Sequence, residues 1–252
     1  MLHRIALCLL LLWPLAAHAA PPVTVAAAAD LRGVLPAIIA DFRAATGMQV
    51  EPVFGSSGSL VQQMLNGAPH QLLLAADSDY AARLVTAGRA VGPPQPYALG
   101  RMALLAQAGI GVRDLGSLRG ALKSGRVRHL AIANPATAPY GRAARAVIDT
   151  ARLAPLAVPR LVLGENVAQA VQFVASGGAE AGIVSAALAR DAVRGDTKLL
   201  MRELPAWLHP PLVQALVLTT DAGPEAKALA AWMIGPKARA RLEAAGFGLP
   251  PQ

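Results

Sequence analysis

The chain has 252 residues, of which 54% are apolar and only 15% charged, with a formal net charge of +8. Its basic residues stand singly (Arg83, Arg89, Arg101, Arg113, Arg119, Lys123), with no block and no basic-aromatic stripe, which argues against a nucleic-acid partner and for a solvated surface. Cys8 is the single cysteine and falls in the first twenty residues, so disulfide, thiol and cysteine-metal chemistry are not expected in the rest of the chain.

Met1 to Ala20 joins a short basic start (His3, Arg4) to an apolar stretch and then Ala17-His18-Ala19. That is the pattern of a secretory signal peptide cut after Ala19. Pro14 and the short apolar run argue against a membrane-spanning helix, and Leu7 before Cys8 argues against a lipoprotein. The rest of the chain, roughly 230 residues, fits one large domain or two lobes of about 100 each.

Strand and helix patterns then alternate. Val23 to Ala28 reads as a strand, with Asp30 capping a helix to about Thr46 and Gly47 closing it. Gln49 to Phe54 is a second strand, Gly58 to Asn66 a second helix. Leu72 to Ala76 reads as a buried strand, after which Asp77 caps a helix ending at Gly88. A second series comes next: strands at Arg101 to Ala106, Leu130 to Ala133, Arg160 to Leu163 and Ala181 to Val184, each leading into a helix. Val213 to Thr219 returns as a strand, and helices from Pro224 and Pro236 finish the chain. The order predicts an α/β fold of two doubly wound lobes. Pro93-Pro94-Gln95-Pro96 and Pro205 to Pro211 are the expected crossovers. They give a signal peptide at 1–19, one lobe from 20–98 plus 212–252, and another from 99–211, hinged about a cleft.

Catalytic patterns fail on spacing. Gly55-Ser56-Ser57-Gly58-Ser59 could be a nucleophile elbow, a phosphate cradle or a helix cap, but it lacks the last glycine of G-x-S-x-G. His70, His129 and His209 fall in no motif with an acidic partner and show no metal-ligand spacing. Lys123-Ser124 follows Leu122, so there is no P-loop. No enzyme and no cofactor is expected.

Helix starts after strands offer more. Ala29-Asp30, Ser57-Gly58, Tyr140-Gly141, Asn166-Val167 and Ser185-Ala186 each present unpaired N–H groups and a partial positive charge. In wound sheets the cleft lies at the carboxyl ends of the strands, where all five would sit. Every α/β protein has such turns, so the pattern alone leaves an anion site and ordinary capping equally open.

Several segments, in order, narrow the choice: AAAADL (26–31), FGSSGSL (54–60), NGAP (66–69), LLLAADSDY (72–80), IANPATAPYGRAA (132–144), LGENVAQAVQFVASGGAEAGIVS (163–185) and a terminal AAGFGLP. Together they resemble the periplasmic molybdate-binding proteins of bacterial ABC transporters, which are bilobed type II solute-binding proteins. The resemblance covers essentially the whole chain after the leader. It implies a periplasmic, non-enzymatic, monomeric protein that holds molybdate or tungstate and delivers it to a membrane permease. It further implies that the anion is held by backbone N–H groups and hydroxyls: Ser57 through hydroxyl and N–H, and Tyr140 and Val167 through N–H. No direct metal-ion ligand is implied. A different oxyanion (phosphate or sulfate) is the alternative within this class, and a secreted hydrolase using Ser56 or Ser57 the alternative outside it.

Two positions depart from the family pattern. Asp30 stands where relatives offer a Ser or Asn donor, and an ionised carboxylate about 4 Å from a dianion would cost roughly 8 kcal/mol at an effective dielectric of 20. The expected resolution is that Asp30 caps its own helix. A protonated Asp30, or one that accepts a proton from the ligand, and a different solute are the alternatives. Ser185 stands where many relatives place a tyrosine, with Tyr140 or a water as the expected compensation.

Overall fold

The computed structural model describes residues 22–251, so the expected signal peptide lies outside the described residues. Two five-stranded sheets organise the chain. The first joins β1 (Val23–Ala28), β2 (Val50–Gly55), β3 (Leu72–Ala75), β4 (Ala90–Gly100) and β10 (Leu212–Thr219) in the order β2-β1-β3-β10-β4. The second joins β5 (Met102–Gln107), β6 (Leu130–Ala133), β7 (Leu161–Gly164), β8 (Ala181–Ser185) and β9 (Leu199–Glu203) in the order β7-β6-β8-β5-β9.

Both sheets are mixed. β1, β2 and β3 run parallel, as do β6, β7 and β8. β10 runs antiparallel to β3 and β4, and β5 antiparallel to β8 and β9. The expected wound pattern therefore holds for the parallel part of each sheet, with antiparallel strands completing it.

Helices cover the sheets: α1 (Leu35–Thr46), α2 (Ser57–Leu65), α3 (Ser78–Thr86), α4 (Leu115–Lys123), α5 (Pro139–Thr150), the short α6 (Ala154–Ala157), α7 (Val167–Ala175), α8 (Ala186–Gly195), α9 (Pro224–Ile234) and α10 (Pro236–Ala245). Alternation along the strands sorts side chains to two faces. Val25, Ala27, Leu72 and Leu74 pack under α1 and α9, while Ala26, Leu73 and Ala75 pack with Leu60, Val61 and Leu84 on the other face. The second sheet has its own core around Leu104, Ile132, Val147 and Ile183, and this cluster also takes in Ala28, Ala29 and Ala76 from the strand ends of the first sheet. The two halves thus meet through alanines at the strand tips.

Two expectations are corrected. Pro93-Pro94-Gln95-Pro96 is not a crossover but lies within β4, an edge strand of the first sheet. An edge tolerates prolines because one side of the strand makes no ladder bonds. Register shifts against β10 fall on both sides of Gln95-Pro96, one of them across Pro93-Pro94. Second, the first helix does not run unbroken from Asp30. Ala29–Gly33 is a 3-10 turn and α1 begins at Leu35. Pro36 explains the break: its ring would clash with the carbonyl of Arg32 were the helix continuous.

Candidate functional site

Five junctions at strand ends and helix starts converge on one cavity. Its lining is Ala28, Ala29 and Asp30 after β1, Gly55, Ser56 and Ser57 after β2, Ala76 after β3, Ala138, Pro139 and Tyr140 at the start of α5, and Asn166 and Val167 at the start of α7. The cavity holds about 190 Å³ of free space, part of it open to solvent. Among the described residues, no lysine, arginine or histidine lines it.

Each junction is fixed by its sequence. Ser56 caps α2, its hydroxyl accepting from the Ser59 N–H, so Ser57 enters the first turn with its own amide unused. Asn166 caps α7 by accepting from the amides of Ala168 and Gln169, leaving the Val167 N–H free. Pro139 opens α5, where a missing N–H is harmless, and Tyr140 follows. Among the described residues the amides of Ser57, Tyr140 and Val167 have no backbone or side-chain acceptor. The Ser57 hydroxyl accepts from the Ala76 N–H at 2.9 Å, which leaves its own proton to be donated elsewhere.

Gly58 and Gly141 permit the close approach. A Cβ on Gly58 would stand 2.5 Å from the Thr137 carbonyl oxygen, and one on Gly141 would stand 2.7 Å from the Asn134 carbonyl carbon. The Gly58 N–H donates to the Thr137 carbonyl at 2.9 Å, a bond from the first half of the molecule to the second. That amide, a candidate donor from sequence, is therefore engaged by the protein itself.

Asp30 does not cap a long helix. It is 1% exposed, and its Oδ2 accepts from Gln214 Nε2 on β10, while its Oδ1 has no hydrogen-bond partner. Gln214 Nε2 also donates to the Tyr140 hydroxyl at 3.2 Å, and its Oε1 accepts from Tyr97 at 2.9 Å. Burial pushes the Asp30 carboxyl up from 3.8 to about 6, against the Gln214 hydrogen bond and the nearby Tyr140 hydroxyl and Asp30 and Leu31 amides, whose polarity favours the ionised form. Burial, then the nearby Asp30 charge, holds Tyr140 well above the usual phenol range, and the same two causes act on Tyr97.

Ser185 is fully buried, does not line the cavity and leaves its hydroxyl unpartnered in strict geometry. It still lies near enough to pull the Tyr140 phenol downward as a hydrogen-bond partner. Tyr140 fills that region with its ring and offers the cavity its amide.

The histidines lie elsewhere: His70 at Arg89 and Asp221, His129 at 3.8 Å from Glu180, His209 on the Pro210 carbonyl. A hydrolase would need a base beside Ser56 or Ser57, and no histidine lines the cavity.

Three features escape the sequence reading. Gln214 is one, although a lone amide in the apolar strand LVQALVLT is a visible signal. Tyr97 is another. The third is a set of contacts at the cleft mouth: Arg142 with Asp77 at 2.5 Å, the Tyr80 hydroxyl with the Ala136 carbonyl at 3.4 Å, and both Arg83 and Arg142 over the Tyr80 ring.

Residues 23–248 match the family of bacterial extracellular solute-binding proteins. The chain belongs to that family. Among curated relatives, this solute-binding protein is 38% identical over 236 residues to the molybdate-binding protein ModA of Azotobacter vinelandii, covering 91% of each chain. It is 33% identical over 213 residues to the ModA of Rhodobacter capsulatus, covering 84% of this chain and 81% of that one. The solved periplasmic molybdate-binding protein of Azotobacter vinelandii superposes with a TM-score of 0.80 at 32% identity, over 91% of this chain and all of the other. The sulfate-binding protein SubI of Mycobacterium tuberculosis shares the fold, with a TM-score of 0.73 at 18% identity, over 90% of this chain and 86% of that one. The two mixed sheets are thus the architecture of a binding-protein fold.

Proposed function

We propose that this solute-binding protein captures a tetrahedral oxyanion dianion, molybdate or tungstate, between its two lobes and hands it to a membrane ABC permease. The observation that carries the reading is the convergence of unused amides from Ser57, Tyr140 and Val167, with the Ser57 hydroxyl, on one small cavity whose described lining has no cationic side chain. Fixed donors at helix starts solvate an anion without reorganising. The names of the relatives at 38% and 33% identity support molybdate as the cargo.

In this reading Ala29 and Asp30 face the anion through the turn after β1. Gly58 and Ser185 act at one remove, Gly58 by tying α2 to Thr137 and Ser185 beside the Tyr140 ring. The lobes are 20–98 plus 212–252 and 99–211. The protein is exported by its leader to the periplasm and works as a monomer, with no role for nucleic acid. The basic net charge assists anion encounter at long range.

The test is a thermal-shift panel with molybdate, tungstate, sulfate and phosphate, followed by calorimetry. A ligand at one hundred times its dissociation constant adds about 2.7 kcal/mol of stability. Shifts with molybdate and tungstate alone are the expected result. A shift with phosphate alone would replace the reading by capture of a protonated oxyanion, with Asp30 as the proton acceptor.

A further inference from the structure

A carboxyl group at the edge of an anion cavity is electrostatically unexpected. Asp30 lines the cavity, is 1% exposed, and keeps one oxygen without a hydrogen-bond partner. Its other oxygen is held by Gln214, whose orientation is set in turn by the Tyr97 hydroxyl. The groups around it are neutral: Tyr97 from β4, Tyr140 from α5, Ser185 from β8 and Gln214 from β10. Among the described residues no cation balances it. α7, packed on the 3-10 turn, carries no charged residue. On α8, which also packs there, Arg194 pairs with Asp191 and Arg190 with Glu203, and Asp191 approaches Gly33 rather than Asp30. Arg32 lies over Phe54 on β2, where Glu51 is exposed; on α1, Asp41 pairs with Arg241 and Arg43 is exposed.

We propose that Asp30 occupies the loaded cleft as the neutral acid, so that capture of an oxyanion dianion takes up one proton from solvent. The inference rests on the oxyanion reading of the cavity. Its chemistry is balanced simply: the carboxylate gains a proton from water or buffer, and no bond to the anion's central atom forms or breaks. A neutral carboxyl offers an O–H donor, whereas a carboxylate offers only acceptors and repels the dianion. Burial already lifts the carboxyl toward neutrality before any anion arrives. The anion then completes the shift. The O–H donor is created by the ligand's own charge, and affinity becomes linked to pH.

Calorimetry with molybdate at pH 7.5, repeated in buffers of different ionisation enthalpy, reads the proton count directly. The wild type is expected to take up about one proton per anion, and its affinity to fall about tenfold per pH unit between pH 7 and 8.5. D30N, nearly equal in size, can accept from Gln214 with its carbonyl and donate from its amide. It is expected to bind with no proton uptake, a flat pH profile, and an affinity at pH 8 on the order of ten- to a hundredfold tighter than wild type. Molybdate binding by the wild type without proton uptake would overturn the inference and leave the oxyanion reading intact. Binding of phosphate in preference to molybdate, with no proton taken up from the buffer, would overturn it in favour of Asp30 as the acceptor of the ligand's own proton. No binding of molybdate or tungstate by the wild type would overturn the oxyanion reading, and the inference with it.

Discussion

Asp77 and Arg142 close the mouth of the cleft: the cap of α3 in one half and the first turn of α5 in the other meet at 2.5 Å, with the Arg142 guanidinium resting 4.8 Å above the Tyr80 ring. The side chains are 18% and 39% exposed, so the pair is screened less than a surface bridge. The contact exists only when the halves are together, and its energy therefore favours the closed form. Arg142→Ala is expected to weaken anion binding roughly fivefold, about 1 kcal/mol, chiefly by faster release. Stopped-flow displacement measures this, and an unchanged off-rate would remove the pair from the closing mechanism.

Gly58→Ala tests the approach of the halves more severely. The new Cβ would press on the Thr137 carbonyl oxygen of the other half at 2.5 Å, and on the Tyr80 ring of its own half at 3.0 Å, a contact that a shift of a few tenths of an ångström relieves. Alanine suits a helix, so the first half should fold normally. The expected result is an unliganded melting point near that of wild type and an affinity reduced tenfold or more, with no ligand-induced compaction in small-angle scattering.

Ser57→Ala removes a donor to the anion and also leaves the Ala76 N–H without its acceptor. A hydrogen bond to a charged group contributes about 1.5–3 kcal/mol. Affinity should fall between about tenfold and a hundredfold by calorimetry. A smaller loss would mean that the Ser57 amide, not its hydroxyl, makes the contact.

The unliganded protein should itself respond to pH through Asp30. Its folded carboxyl titrates at about 6 against 3.8 when unperturbed, so the folded state holds the proton more tightly than the unfolded state. The resulting stability is fully present below pH 3.8 and is lost as pH rises through about 6. The difference corresponds to about 3 kcal/mol. Asp41, Asp114 and Glu180 act oppositely, since their carboxyls are held low and their contributions fade as pH falls. D30N isolates the first effect: it should stabilise the protein at pH 7.5 and do little at pH 4. Urea titrations at the two pH values check this.

Much of this arrangement can be read from residues. Strand, small-residue turn and helix succeed one another within Val50 to Met64, and Asp77 and Asn166 open their helices where the pattern puts them. β4 escapes because three prolines normally forbid a strand, and only its edge position makes them tolerable. The role of Asp30 escapes for another reason. As a cap it needs only its neighbours in sequence, but as a buried acid it depends on Gln214, 184 residues away, and on Tyr140. Pro36 is the local sign that no unbroken helix can start at Asp30. Gly58 illustrates the remaining gap: the sequence marks a free amide, but not that Thr137 takes it.

The placing of β10 between β3 and β4 sets an order of assembly. Every strand of the second sheet comes from one unbroken stretch, Met102 to Glu203, whereas the first sheet is left open in its middle until Leu212–Thr219 arrives. Its local contacts let the second half nucleate by itself, while the first must hold an unfilled seam with exposed strand edges. Pulse-labelled hydrogen exchange should accordingly protect Ile132 and Ile183 amides before those of Leu73 and Leu216. The piece that completes the first half is thus among the last to be made, so a chain cut short before Leu212 would keep one finished half and one that cannot close its sheet.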